Sequence, residues 1–444
     1  MSEDTVFALS SPVGGAIAIV RITGSGAYAA LGRVFRCKNA PEHRVMNYGH
    51  VIDSESGETI DSAMACFLEA PATYTGEDMA EIYIHGSRVI AKRTLSVLSR
   101  FLRPAEGGEF TKRAFMNGKL DLSQAEAVMD VISSVTEQGA RMAEEQLAGS
   151  IGSGIKDIED RLIDILSGVE AALDYPDELE EDTVSALGSE LAPIIDKLDY
   201  LISGGNAARI FREGAAVAIL GAPNAGKSSL FNALMGTERA IVTSIPGTTR
   251  DTLEETLDIC GAPVRITDTA GIREGADEAE RIGVERARKA GERADLILIA
   301  IDGTKPIDEE SRALIDAAKR GEYRKCLILF TKADKQGFGT DESCAEFAPI
   351  SISSVTGEGI EELKERMAAL LLTKEAESAL VTNSRHIYAL AEAKAALETA
   401  DAAMGTDLAA ADIRTALYAL GQITGREVTS DVIERIFSRF CVGK

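Results

Sequence analysis

Gly221-Ala-Pro-Asn-Ala-Gly-Lys-Ser228 sets two glycines, a lysine and a serine at the spacing that wraps a phosphate chain. The apolar run Ala216-Val-Ala-Ile-Leu220 leads in, and a helical stretch opening at Ser229 leads out, which is the strand–loop–helix context such a loop requires. Glycine lets backbone N–H groups close on phosphate, and the helix N-terminus adds positive dipole. Lys227 is expected to reach the outer phosphates and Ser228 to hold Mg²⁺, with Asn224, Ala225, Gly226 and Ser229 completing the loop. Asp268-Thr-Ala-Gly271 follows an alternating strand, Val264-Arg-Ile-Thr267. Asp268 is placed for the Mg²⁺ shell and the Gly271 amide for the γ-phosphate, with Thr269 and Ala270 between them. Thr331-Lys-Ala-Asp334 follows the apolar run Cys326-Leu-Ile-Leu-Phe330. The Asp334 carboxylate can accept from guanine N1–H and N2–H, which adenine does not offer, so GTP rather than ATP is the expected nucleotide. Lys332 and Ala333 lie inside that motif. Ser353, Ser354 and Val355, after Ile350-Ser-Ile352, are expected to turn their backbone toward the guanine carbonyl.

Two positions depart from the usual guanine-reading pattern. Thr331 stands where Asn is common and Ser354 where Ala is common; the first predicts one lost hydrogen bond, about 1 kcal/mol of affinity. Between the first two motifs, Thr243-Ser-Ile-Pro-Gly-Thr-Thr-Arg-Asp251 has the composition of a loop that closes over nucleotide. Thr243, Ser244, Ile245, Pro246, Gly247, Thr248 and Thr249 are its candidate GTP contacts, Thr249 being the expected Mg²⁺ ligand. Ile272 occupies the place where many signalling GTPases carry a water-orienting Gln, so another group must position water and neutralise charge. The Asn224 amide oxygen is a candidate ligand for a monovalent cation. The carboxylates of Glu274-Gly-Ala-Asp-Glu-Ala-Glu280 are candidates for the water, or simply a solvated face.

These groups need a scaffold. At 444 residues the chain implies two or three domains, and 45% hydrophobic with 27% charged residues describes an ordinary globular protein. Residues 1 to about 117 alternate strand-like runs, such as Ala16-Ile-Ala-Ile-Val-Arg-Ile22 and Ala80-Glu-Ile-Tyr-Ile84, with helical stretches: an α+β unit. From about 120 the period becomes helical. Ser123 with Glu126 reads as a capping box, and Ile155, Ile158, Leu162, Ile165, Leu166 and Val169 mark a second long helix that Asp174-Tyr-Pro-Asp177 breaks. A β-rich pattern occupies 215–372 and helical texture then resumes. The expected segments are 1–117, 118–213, 214–373 and 374–444, with an α/β P-loop (Ras-like) domain inserted into a discontinuous helical domain. No apolar run approaches the roughly 18 residues of a membrane span. The N-terminus is acidic, and the six cysteines are scattered without a CxxC pair; a reducing, cytoplasmic setting is expected, without membrane, disulfide framework or zinc site. A net charge of −24 disfavours a broad basic surface for nucleic acid, so any RNA substrate must be gripped by a local patch or by a partner.

Together with Val20-Arg-Ile22, Tyr74-Thr-Gly-Glu-Asp78 with Glu81, the run from Gly108 to Leu122, Gly247-Thr-Thr-Arg-Asp251 and the tail Phe440-Cys-Val-Gly-Lys444, these motifs resemble the tRNA-modification GTPase MnmE (TrmE) family over essentially the whole chain. The resemblance implies a homodimer paired through a folate-binding-like N-terminal domain. It also implies an FAD-containing MnmG-type partner in a heterotetramer-like complex, and aminomethyl or carboxymethylaminomethyl addition at C5 of the wobble uridine of certain tRNAs. It implies potassium-stimulated GTP hydrolysis, with K⁺ held by Asn224, Thr243, Ile245 and Thr248. Glu280 becomes the expected water-positioning residue and Arg273 a second catalytic one. Arg21, Glu81, Lys119 and Lys444 become the contacts of a tetrahydrofolate derivative, in its 5-formyl or 5,10-methylene form. Cys441 is either a buried structural residue or a functional thiol near that folate. The partner would then supply most of the tRNA surface. A ribosome-assembly or regulatory GTP-binding protein is the alternative, against which stand the folate-type N-terminal segment and the tail.

Overall fold

Ile17–Thr23 alternates buried and half-exposed side chains, as a strand with only one covered face should. It lies inside a seven-stranded sheet. The computed structural model describes residues 4–237, 256–267, 294–373, 379–401, 405–438 and 440–443. In chain order this sheet's strands are β1 (Val6–Leu9), β2 (Ile17–Thr23), β3 (Phe35–Cys37), β4 (Asn47–Ile52), β5 (Thr59–Leu68), β6 (Met79–His85) and β7 (Arg103–Pro104). Their spatial order is β3-β4-β5-β6-β2-β1-β7, antiparallel except for the β1–β7 pair. Helices α1 (Ala27–Val34) and α2 (Arg88–Leu98) cover one face through Leu31, Val34, Val97 and Leu98. Phe110 of α3 (Glu109–Met116) packs on the other face, beside Val6, Ala8 and Met79.

The described residues of 1–129 and 421–444 form one compact unit. Within it, the helix Ser430–Phe437 sets Phe437 against Phe115 and Phe440, with ring centroids 6.3 and 5.2 Å apart. The tail is stitched down by backbone: Gly108 N–H donates to the Cys441 carbonyl at 3.2 Å, and Val442 bridges Gly107. Gly443, at φ +94°, lies so close to β1 that a Cβ there would sit 2.7 Å from the Leu9 carbonyl.

The second unit, drawn from residues 130–420, carries most of the helical residues and a second sheet. Helix α4 (Leu122–Ser133) precedes α5 (Glu137–Leu147), α6 (Ser150–Asp174) and α7 (Pro176–Glu213). The break at Tyr175 falls where the sequence predicts it, and Pro176 opens the next helix at a position that needs no N–H. The capping box of α4 is not Ser123 with Glu126. Asp121 accepts from the Gln124 N–H at 2.8 Å while Gln124 Oε1 accepts from the Asp121 N–H at 3.0 Å, so the box lies two residues earlier. Ser123 and Glu126 are inside the helix and buried.

The second sheet runs β13-β12-β11-β8-β10-β9, with only β9 antiparallel. Its strands are β8 (Ala215–Leu220), β9 (Thr256–Ile259), β10 (Ala262–Thr267), β11 (Leu296–Asp302), β12 (Cys326–Thr331) and β13 (Ile350–Ile352). Side chains along β11 alternate between two cores. Leu296, Leu298 and Ala300 join Leu230, Leu234, Leu363 and Met367, while Ile297, Ile299 and Ile301 join Ile315 and Phe330. Both faces are therefore dry, which is why these strands read as unbroken apolar runs.

Candidate nucleotide site and N-terminal polar cluster

Parallel strands in an open sheet present their C-terminal ends to ligand. Here β8, β12 and β13 end in three of the four motifs singled out in the sequence; the fourth, Asp268–Gly271, lies outside the described residues. β8 passes into the loop 221–226 and α8 (Lys227–Thr237) follows. Gly221 has φ +150°, and a Cβ on it would lie 2.2 Å from the Ala300 carbonyl; Gly226 has φ +90°. The loop therefore hugs the end of β11 along bare backbone, a cradle that side chains would fill. Lys227 Nζ donates to the Gly221 and Ala222 carbonyls at 2.6 and 2.9 Å, bending back over the loop. Ser228, Ser229 and Asn224 are exposed, Asn224 at φ +63°. Glycine cradle, lysine and N-terminal serine hydroxyl together fit a triphosphate with Mg²⁺.

The loop after β12, where guanine reading is expected, is tied to this cradle. Buried Thr331 donates its hydroxyl to the Ala225 carbonyl at 2.7 Å, and Lys332 Nζ donates to the Asn224 carbonyl at 2.9 Å. Thr331 thus does more than stand in for a missing amide: it anchors the phosphate loop to β12. Thr331→Val keeps the shape and removes that donor. GTP affinity is expected to fall about five- to tenfold, as one net hydrogen bond implies. Fluorescent-nucleotide titration measures it, and unchanged affinity would show that the loop holds without the tie.

Asp334 accepts from the Ser353 hydroxyl at 2.7 Å. Ser353 is fully buried and in turn accepts from the Val355 and Thr356 amides at 3.3 and 3.1 Å, so β13's loop orients the carboxylate. Sequence reasoning missed Asp302. It closes β11, pairs with Lys332 Nζ at 2.5 Å and accepts from the Thr304 amide and hydroxyl. Burial alone would raise its carboxyl; the Lys332 and Thr304 hydrogen bonds outweigh that and bring it down to about 2. Its signal was an Asp-Gly-Thr turn after a buried strand. Thr243, Ser244, Ile245, Pro246, Gly247, Thr248, Thr249, Asp268, Thr269, Ala270, Gly271, Arg273, Glu280 and Lys444 lie outside the described residues.

In the N-terminal sheet, Arg21 on β2 and Glu81 on β6 are direct cross-strand partners, and Arg21 Nε meets Glu81 Oε1 at 2.7 Å. The Tyr83 hydroxyl donates to Glu81 Oε2. Lys119 donates to the Pro71 carbonyl at 3.1 Å. The neighbouring motif residues work on the fold itself. Arg113, nearly buried, joins Asp4, Glu77 and Glu109, while Thr75 bonds Thr23 at 2.7 Å, and together these clamp α3 to the sheet. Burial would raise the Glu109 carboxyl, but Arg103 and Arg113 hold it below its ordinary value.

A phosphate cradle tied to the loop of an oriented carboxylate, at the ends of parallel strands, is the architecture of a P-loop GTPase. Family models describe the remainder: residues 5–119 match the GTP-binding protein TrmE N-terminus, and residues 122–441 the MnmE helical domain. A protein of Natranaerobius thermophilus named tRNA modification GTPase MnmE is 38% identical over 461 residues, covering 100% of both chains. Its namesakes in Geobacillus kaustophilus and Acetivibrio thermocellus are each 41% identical, covering 99% and 100% of this chain and 99% of theirs. The chain belongs to the tRNA modification GTPase MnmE family.

Proposed function

We propose that this chain is a potassium-stimulated GTPase whose nucleotide cycle drives modification of C5 of the wobble uridine of certain tRNAs. It acts with an FAD-containing MnmG-type partner and a one-carbon tetrahydrofolate in the 5-formyl or 5,10-methylene form. The observation that carries the GTPase half is the junction of Thr331 and Lys332 with the loop 221–226, which joins base reading to phosphate binding. The tRNA half is supported by the family and by relatives whose name states it.

In this reading Asp334 selects guanine, Lys227 engages the outer phosphates and Ser228 with Thr249 holds Mg²⁺, which would neutralise charge on the phosphates. Asp268 and Gly271 follow the γ-phosphate. Asn224, with Thr243, Ile245 and Thr248, would hold K⁺ where other GTPases use an arginine. Glu280 orients water and Arg273 assists it. Folate is bound through Arg21, Glu81, Lys119 and Lys444, and residues 1–117 pair two copies; 118–213 and 374–444 are the two sequence halves of a helical domain into which the GTPase segment 214–373 is inserted. Cys441 is proposed to lie close to the folate. Among the described residues no helix is long and apolar enough to cross a membrane, and a cytoplasmic site of action is proposed.

The decisive experiment is GTP turnover in potassium against sodium at equal ionic strength, with self-association followed in parallel. Turnover is expected to rise at least tenfold in potassium, in step with association; equal rates in the two salts would refute the potassium mechanism.

A further inference from the structure

Strand periodicity places Glu81 and Tyr83 on the same face of β6, two residues apart. Arg21 stands opposite Glu81 on β2, and buried Cys66 stands opposite it on β5. Glu81 therefore has a neighbour for each of its oxygens. Oε1 accepts from Arg21 Nε at 2.7 Å and Oε2 accepts from the Tyr83 hydroxyl. Two donors from two directions fix a side chain that would otherwise sample several rotamers, and each carboxylate oxygen keeps a further lone pair. A carboxylate that keeps a lone pair on each oxygen can take two N–H donors. The two terminal nitrogens of Arg21 carry no hydrogen bond to any described residue, so the guanidinium can also meet an anion.

We propose that Tyr83 is the positioning residue of this cluster, holding Glu81 so that it reads the paired N–H edge of a flat heterocycle bearing an anionic tail. The proposal rests on the folate reading of Arg21 and Glu81 and extends it to a residue that reading does not include. Burial, and then the hydrogen bond to Glu81, pushes the Tyr83 hydroxyl up to about 12, so it remains the donor throughout the range where the protein would work. Removing the hydroxyl leaves the ring in place and frees Glu81 to turn toward Arg21 or solvent.

The test is a double-mutant cycle on the full chain, with 5-formyl-tetrahydrofolate as probe and calorimetric titration as readout. Tyr83→Phe is expected to weaken binding about fivefold, the scale of one lost hydrogen bond, with an unchanged melting temperature. In a Glu81→Gln background the same substitution is expected to change affinity less than twofold, because its effect runs through Glu81. A Tyr83→Phe variant that binds like the wild type, or that loses equally in both backgrounds, overturns the positioning role while leaving the folate reading intact. Wild-type affinity in Glu81→Gln alone sinks the folate reading, and this proposal with it. If Glu81→Gln binds too weakly to titrate, Tyr83→Phe decides alone: weaker binding at unchanged melting upholds the proposal, and retained affinity overturns it.

Discussion

Gly221→Ala is expected to cripple nucleotide binding. A Cβ on Gly221 would lie 2.2 Å from the Ala300 carbonyl oxygen, and φ is +150°, a region that side chains resist. The obstacle cannot step aside. Ala300 sits within β11, hydrogen-bonded into the centre of the sheet and paired in register with β12, and it is fully buried. The loop must move instead, and its movement pulls on the tie from Thr331 to the Ala225 carbonyl. Backbone strain and crowding of this kind each cost roughly 1–3 kcal/mol. GTP affinity is expected to fall by two orders of magnitude or more, and the thermal stabilisation that GTP confers on the wild type to vanish. Melting curves with and without GTP check both; a GTP-induced shift equal to the wild type's would overturn the close-approach argument.

Asp334→Ala acts at the base instead. Guanine offers two adjacent N–H donors to this carboxylate, and charge-assisted hydrogen bonds contribute roughly 1.5–3 kcal/mol each. Their loss is expected to weaken GTP by about 10² to 10⁴ while leaving ATP affinity nearly as weak as before, so that discrimination collapses. Removing the side chain also leaves the buried Ser353 hydroxyl without its acceptor, which loosens the turn that carries Val355 and Thr356. Competition between GTP and ATP for a fluorescent guanine nucleotide measures the ratio. If the variant still prefers GTP by the wild-type factor, another group reads the base.

Much of this architecture was legible in the residues because it depends on local pattern. Leu296-Ile-Leu-Ile-Ala-Ile301 reads as a doubly buried strand and is one. Pro176 reads as a helix breaker and marks the start of α7. The glycine spacing of 221–226 reads as a phosphate cradle, and the structure gives the reason in Ala300. The α/β and helical fold class and the family likewise followed from motifs that lie contiguous in sequence.

The rest depended on contacts that spacing does not encode. Thr331 looked like the loss of an amide, yet its hydroxyl reaches a carbonyl 106 positions away in the chain. Asp302 carried no motif, because its role exists only once β11 and β12 lie side by side. Ser123 reads as the α4 cap, yet Asp121 and Gln124 exchange the capping hydrogen bonds and Ser123 lies buried inside the helix. Glu109 and Arg113 read as part of a family signature, whereas Arg113 also ties α3 to Asp4 and Glu77.

The docking of 441–443 onto residues 9–10 and 107–108 has a consequence for how the molecule is made. The seven-stranded sheet is translated first, but the stretch that docks beside it leaves the ribosome more than 300 residues later. Chains emerge at roughly 5–20 residues per second, so the early sheet waits tens of seconds for its last piece. During that interval Phe115 and Leu122, which Phe437 and Phe440 finally cover, stay open to other partners. Nascent chains of this protein are therefore most exposed to chaperones, and to one another, on the surface that the finished protein hides beneath its own tail.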